Sequence, residues 1–348
     1  MVAEGKRILV TGGTGSLGQA IVRRLLAGDV GRPAKIIVFS RDEAKQQDMR
    51  LAYLNRQVAT DEVIYGDSQE LVSFHIGDVR DYSCVLQAVL DADIVIHAAA
   101  LKQVPTCEYF PFQAVETNII GAQNLFKAVR HNKTAVETVV GISTDKACKP
   151  INVVGLSKAL MERIFVQANM SCPDTRFVCV RYGNVIASRG SVVPLFLDQI
   201  AKGGPVTITT KEMTRFLVSL DRAVDTVFDA IRSALPGETY VPKLPAARIV
   251  DLADVLIDGR NIPVTFTGIR PGEKIHEIMI SEEECYRTVE RDGYYAICPI
   301  QPELRSTPID KPALTGEYSS SNVTLDRAGL RELLAESLSK ESPRGGAS

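Results

Sequence analysis

Residues 6–18 read KRILVTGGTGSLG, a β-branched run that stops in clustered glycines and is followed at once by the amphipathic stretch Ser16–Ala27. Gly13, Gly15 and Gly18 give G-x-G-x-x-G, and Gly12, Gly15 and Gly18 give G-x-x-G-x-x-G. Both spacings let backbone N–H groups approach a pyrophosphate, and the positive end of the following helix favours the charge. Alone, such a run is an ordinary glycine-rich turn. Between a strand and a helix it marks a dinucleotide site, with Gly12, Thr14, Gly15, Ser16, Leu17 and Gly18 against the phosphates.

The same rhythm extends outward. KIIVFS (35–40) precedes an amphipathic stretch over 42–56, and LVSFHI (71–76) precedes another over 82–90. DIVIHA (93–98), ETVVGIS (137–143) and RFVCVRY (176–182) continue it, with helices expected over 111–130 and 153–168. Strand–helix alternation is the βαβ signature, and near-continuous Ile/Val runs belong to strands covered on both faces. The expectation is an α/β doubly wound (Rossmann) sheet of seven parallel strands. Beyond Tyr182 the rhythm breaks at Gly203, Gly204, Pro236, Pro271 and Gly272, which announces a smaller C-terminal substrate-binding α/β lobe. The expected division is residues 1–182 as cofactor domain, joined by a returning helical segment within 214–235. Residues 183–213 and 236–330 form the lobe and 331–348 a tail, with a disordered end over 340–348 where polar residues, two glycines and a proline cannot bury apolar surface.

At 348 residues with a net charge of −2, the chain has ample length for a large core and no basic run that would suit nucleic acid. The apolar run Ile8 to Val10 is too short for a signal segment, and no stretch reaches membrane-spanning length, so a cytoplasmic protein with no membrane partner is expected. Seven cysteines without paired metal-ligand spacing read as free thiols, with no metal site.

Where an acidic residue would hold a free ribose 2'-hydroxyl, after the second strand, the sequence has Ser40 and Arg41, with Lys45 a turn later. A guanidinium there grips a 2'-phosphate, so the cofactor expected is NADP. Asp78 and Val79, after the third strand, fall where the adenine would lie.

The remaining informative strings fall at strand carboxyl ends, where ligands of such sheets bind. HAAALKQVPTCEYFP (97–111), STDKACKPINVVGLSK (143–158) and RYGNVIASRGSVVPLF (181–196) resemble the soluble, C5-inverting UDP-N-acetylglucosamine 4,6-dehydratases of bacterial cell-surface sugar biosynthesis, within the extended short-chain dehydrogenases. The likeness runs over about residues 6–330. It implies a redox-neutral reaction in which tightly held NADP takes hydride from C4, water leaves across C5 and C6, and the hydride returns to C6. It also implies UDP-N-acetylglucosamine as substrate, and a homo-oligomer, commonly a hexamer. One departure matters: Val154 stands four residues before Lys158, where the wider superfamily has a catalytic tyrosine.

Valine transfers no proton, so the duty falls on the pair Asp145 and Lys146. Lys146 is expected as the base for C5, Asp145 as the acid for the leaving C6 hydroxyl, Thr144 as the group orienting the C4 oxygen, and Lys158 as the grip on the nicotinamide ribose. A free lysine near pKa ~10.4 is too weakly acidic for this, so Lys146 needs a depressed value. Ala98, Ala99, Ala100, Lys102, Asn118, Ser143, Tyr182, Gly183 and Asn184 complete the expected cofactor contacts. Lys102, Asn184, Arg189, Ser191, Val192, Arg215, Arg270 and Glu273 are expected to hold the substrate, its UDP above all. Cys107 reads as a small core filler, and His276 as helix surface. Two other functions compete: a UDP-sugar C4 epimerase, which shares the fold but relies on the missing tyrosine, and a non-catalytic NADPH-binding sensor.

Overall fold

The computed structural model describes residues 1–54, 71–131, 136–186, 191–305, 309 and 311–341. The first half runs β1 (Arg7–Thr11), α1 (Ser16–Ala27), β2 (Lys35–Ser40), α2 (Glu43–Leu54), β3 (Val72–Ile76), α3 (Tyr82–Leu90) and β4 (Ile94–His97). Two short helices, α4 (Val104–Tyr109) and α5 (Pro111–Ala114), lead through a π-helical turn, Val115–Ile120, into α6 (Gly121–His131). Then come β5 (Thr138–Ile142), a 3-10 turn at Asp145–Ala147, α7 (Val153–Ser171) and β6 (Arg176–Val180).

The remainder holds β7 (Asn184–Val185), α8 (Val192–Ala201), β8 (Val206–Ile208), β9 (Thr214–Val218), α9 (Leu220–Ser233), β10 (Thr239–Pro242) and β11 (Ala246–Arg248). It ends in α10 (Ile249–Ile257), β12 (Val264–Phe266), β13 (Ile278–Ile280), α11 (Glu282–Cys285), β14 (Thr288–Arg291), β15 (Tyr294–Ile297), β16 (Tyr318–Ser319) and α12 (Arg327–Glu341).

The main sheet is ordered β14-β15-β10-β6-β5-β4-β1-β2-β3. Its seven strands from β10 to β3 are parallel, as the Ile/Val runs require, while β15 and β14 add an antiparallel pair at one edge. Successive strand residues serve opposite faces. Ile8, Val10, Ile36 and Ile96 pack with α1 and α9, whose apolar stripe carries Ala223, Val227, Phe228 and Ile231. Leu9, Ile37, Val95 and Val139 pack with α3, α6 and α7. Helix α9 is tied to α1 by the Arg24–Asp225 ion pair at 3.0 Å. A third cluster, with Phe196, Met213, Leu252 and Leu256, is the core of the C-terminal lobe.

Two expectations are corrected, and the seventh expected strand is located. The single helix over 111–130 is interrupted: Asn118 is fully buried in the π turn, where its side chain exchanges hydrogen bonds with the backbone of Leu101. The tail expected from residue 331 is helix α12 through Glu341, held on α10 by buried Leu330 and Leu334, while residues 342–348 lie outside the described part. The seventh parallel strand is Thr239–Pro242, reached only after the excursion into the lobe. Helix α2 is described to Leu54, so the end expected at residue 56 is outside the described residues.

Candidate active site

A cavity of about 1020 Å³ opens at the carboxyl ends of β1, β2 and β4. Its walls include Gly12, Thr14, Gly15, Ser16, Leu17, Gly18, Ser40, Arg41, Lys45, Val79, Ala98, Ala99, Ala100 and Lys102. Gly12 has φ +66°, and a β-carbon there would sit 2.8 Å from the backbone of Ala99, so only glycine lets the two strand ends approach. Gly15 precedes α1 with no side-chain cap, which leaves the helix N-terminal N–H groups to face the cavity. The cradle fits a dinucleotide pyrophosphate. Thr117 of the π turn and Ser337 of α12 add to the walls, and neither was anticipated from the sequence.

At the end of β2, Arg41 is half exposed and stands 3.5 Å from Asp78, while Lys45 is paired with Asp42. Asp78 does not line the cavity. Its carboxylate is turned to Arg80 at 2.6 Å, and although burial pushes its pKa up, Arg80 and Arg41 outweigh that and lower it. Lys102 has no hydrogen-bond or ion partner among the described residues, and desolvation lowers its pKa.

Several residues expected at the cofactor serve the frame around it. Asn118 also donates to Ser157 Oγ at 2.9 Å, so its amide holds β4's exit loop to α7 and does not face the cavity. Ser143 donates to Glu162 Oε1 at 2.5 Å on the far side of the sheet end. Tyr182 is buried in the core, which pushes its phenol pKa up, and its carbonyl accepts from the Asp145 N–H at 3.3 Å. Gly183 passes so close to β9 that a β-carbon would meet that of Phe216 at 2.4 Å. Lys158 is buried and donates to the Ile142 carbonyl at 2.7 Å; desolvation lowers its pKa to about 8. Beside it, His97 is held neutral, lowered to about 3 by burial and by Lys158, and its Nδ1 pairs with Thr11 Oγ1 at 2.9 Å.

The acid–base group lies where β5 ends. Thr144 caps the 3-10 turn and donates to Asp145 Oδ1 at 2.8 Å. Lys146 Nζ is 3.0 Å from the same oxygen and 3.2 Å from Glu277 Oε1. The side chains of Asp145 and Glu277 are 1 % and 3 % exposed. Each keeps one buried oxygen, Asp145 Oδ2 and Glu277 Oε2, without a hydrogen-bond partner among the described residues. The depressed amine expected for Lys146 is corrected: burial lowers its pKa, but Asp145 and Glu277 outweigh burial and Arg215, and the net shift is upward. In the resting site Lys146 is an ammonium. Glu277, the last residue of GIRPGEKIHE, escaped the sequence reading because nothing local marks a partner so distant along the chain. Val154 is buried with Cys107 and Ala114 in a small apolar cluster.

On the lobe, Arg215 is committed inward. Its guanidinium donates to the carbonyls of Thr214, Ile275 and Lys274 at 2.7, 3.0 and 2.8 Å, and lies 3.7 Å from Glu273 and 3.9 Å from Glu277. That corrects its expected role as a free diphosphate ligand. Arg270 is exposed, with its N–H 3.4 Å from Glu273 Oε2, and Glu273 also accepts from Thr209 Oγ1 at 3.2 Å. Ser191 precedes α8 without capping it; its Oγ and Asn184 Oδ1 are both buried without a partner among the described residues. Val192 begins that helix, and Arg189 lies outside the described residues. His276 is not on a helix: it precedes β13 and pairs with Thr214 Oγ1 at 2.8 Å. All seven cysteines are free. Among the described residues no group of three or more His, Cys, Asp or Glu is placed to hold a metal ion, and no helix is long and apolar enough to cross a membrane.

The description "Polysaccharide biosynthesis protein" belongs to the family that matches residues 8–299, across both the cavity and the acid–base group. The chain belongs to that family. Proteins named UDP-glucose 4-epimerase are similar to it: that of Rickettsia bellii (strain OSU 85-389) is 44% identical over 340 residues, 94% of this chain and 95% of the relative. The Rickettsia akari (strain Hartford) protein of the same name is 46% identical over 91% of each chain. Among solved structures, that of Pen from Bacillus thuringiensis superposes with a TM-score of 0.84 at 34% identity, covering 97% of this chain and 99% of that one. DesIV, a dTDP-glucose 4,6-dehydratase from Streptomyces venezuelae solved with NAD, shares the fold at a TM-score of 0.64 and 22% identity, over 77% and 86% of the two chains. The relatives are named UDP-glucose 4-epimerase, and the neighbours that share this Rossmann fold include a dTDP-glucose 4,6-dehydratase.

Proposed function

We propose that the protein is a C5-inverting UDP-N-acetylglucosamine 4,6-dehydratase that makes UDP-2-acetamido-2,6-dideoxy-β-L-arabino-hex-4-ulose. The observation that carries this reading is the pair of buried Asp145 and part-buried Lys146 at the end of β5, with valine in place of a phenol at position 154. A C4 epimerase needs one group to move the C4 hydroxyl proton. A dehydratase needs, in addition, a base for C5 and an acid for the C6 hydroxyl, and a carboxyl touching an amine provides both.

A bound nicotinamide cofactor supplies the hydride acceptor for C4 and the donor for C6; Arg41 at the end of β2 favours NADP. As the hydride leaves, the C4 hydroxyl proton passes to solvent by way of Thr144 Oγ1, the hydroxyl expected at the C4 oxygen, and the C4 ketone so formed acidifies C5–H. Lys146 becomes a base by passing its proton to Asp145 Oδ1, 3.0 Å away. Asp145 is then the acid that protonates the departing C6 hydroxyl, and Thr144 steadies it through Oδ1. Asn184 and Ser191, with unpartnered oxygens beside the start of α8, and exposed Arg270 are the lobe groups assigned to UDP.

The Rickettsia relatives' name favours a second reading, a UDP-sugar C4 epimerase. Proton NMR of UDP-N-acetylglucosamine incubated with the protein in D2O separates the two. A C6 methyl with deuterium at C5 is the expected result, and the C5 coupling pattern reports inversion. UDP-N-acetylgalactosamine without a methyl refutes the dehydratase in favour of the epimerase. Cofactor binding with no altered sugar nucleotide leaves a sensor.

A further inference from the structure

We propose that Glu277 is the counter-charge for Lys146 during elimination, a positioning residue contributed by the C-terminal lobe to the dehydratase chemistry. The inference rests on the dehydratase reading and adds a residue to it. Its basis is geometric. Glu277 Oε1 is 3.2 Å from Lys146 Nζ, its side chain is 3 % exposed, and its other oxygen is buried without a partner among the described residues. A buried carboxylate left with an open oxygen costs free energy, and a role in the working cycle explains why that cost is kept.

Proton accounting gives the use. When Asp145 holds the proton destined for the C6 hydroxyl it is neutral, so it no longer balances a charge on Lys146. Lys146 then takes the C5 proton: the C5–H bond breaks, an N–H bond forms, and the electron pair stays on the substrate as the enolate of the C4 ketone. An ammonium is created beside a neutral acid. Glu277 is the remaining carboxylate in contact with it, and it stabilises the ammonium as it forms, which is where electrostatic preorganisation lowers a barrier.

The surrounding charges leave Glu277 available for this. From β9, Arg215 Nε approaches Glu277 Oε1 at 3.9 Å, yet its closer contacts are the carbonyls of residues 214, 274 and 275, and it lies nearer to Glu273. His276 is turned to Thr214, and Lys274 donates to the Cys148 carbonyl at 2.6 Å. The Glu277 N–H donates to Ser320 Oγ at 2.9 Å, which fixes its backbone. On the sheet side, Asp145 and Thr144 complete the group around Lys146.

The test is the pH profile of kcat for wild type, Glu277→Gln and Glu277→Asp, with NMR of the product at each pH. The working pair holds one proton, shared between Asp145 and Lys146, so activity falls at high pH as that proton is lost to solvent. Removing one carboxylate makes that proton easier to lose, so the falling limb in Glu277→Gln moves to lower pH by about one unit or more. Plateau kcat falls roughly 10- to 100-fold with KM within about threefold, because the loss is confined to the transition state. Glu277→Asp gives an intermediate limb. A Glu277→Gln protein that loses kcat while its limb stays in place overturns the assignment of Glu277 and leaves the dehydratase standing. Wild type that yields no C6 methyl refutes the dehydratase reading and takes this assignment with it.

Discussion

Replacing Arg181 by methionine tests the most deeply buried arginine among the described residues. Arg181 leaves the end of β6, and each of its five N–H donors has an acceptor: Nε and Nη2 on Glu162 at 2.8 and 2.6 Å, Nη1 and Nη2 on Glu284 at 2.7 and 2.9 Å, and Nη1 on the Met279 carbonyl at 2.9 Å. The three side chains are 5 %, 7 % and 11 % exposed. Methionine keeps the stem but takes the ion partner from Glu162 and leaves Glu284 with Arg287 at 3.4 Å, which by precedent for broken buried pairs costs about 3–5 kcal/mol at pH 7.

The titration of Glu284 gives a second figure. Burial raises its pKa, but Arg181 outweighs burial and lowers it from 4.5 to about 2. A depressed carboxylate contributes stability that is complete above the unfolded pKa and lost as pH falls through the folded one. A shift of this size corresponds to about 3 kcal/mol. Urea unfolding of both proteins from pH 7 to pH 4 is the assay. The difference should be about 3–5 kcal/mol at pH 7 and shrink toward pH 4, as the carboxylates without Arg181 protonate more readily than those paired with it. A gap below about 1 kcal/mol, or one that does not change with pH, refutes the account.

Three further outcomes follow from the site. Lys158 has its pKa lowered to about 8 by burial, so folding disfavours its charge: the cost is full below pH 8 and relieved as pH climbs toward the ordinary 10.5. Lys158→Met should therefore gain up to about 3 kcal/mol at pH 7, less its packing losses, with the gain fading by pH 10 in thermal melts. Val154→Tyr forces a ring into the cluster of Cys107 and Ala114 and should cost about 1–3 kcal/mol while leaving the NMR product unchanged. Arg41→Ala should weaken NADP roughly tenfold or more and NAD within about twofold, read by fluorescence titration; equal losses would remove Arg41 from the 2'-phosphate.

Where local sequence carries the physics, reading it was enough. The glycine turn with its strand and helix, the bounds of α1 and α3, and the strands from β1 to β6 are stated by β-branched runs and amphipathic spacing. The π turn was not, because Asn118 is recruited by the Leu101 backbone, a tertiary demand with no mark in helix periodicity. Strands β10, β14 and β15 are four residues each and look like loop until the sheet edge claims them. At the site, Asp145 and Lys146 were visible as neighbours. Glu277 was not, and it adds to Asp145 in turning the shift on Lys146 upward where a depressed amine is expected. Arg215 erred the other way: an arginine on a short strand advertises a ligand, and here three carbonyls take it.

The pairing of β15 with β10 has a mechanical consequence. Residues 294–297 follow the last segment of the lobe that reaches the catalytic turn, yet they are hydrogen-bonded into the sheet that carries the cofactor cradle. The two halves are therefore riveted through a shared ladder as well as through the side chains around Lys146. The chain that carries Glu277 is thus anchored a short way downstream in the sheet that holds the cradle, which limits how far Glu277 drifts from Lys146 as the sugar enters and leaves.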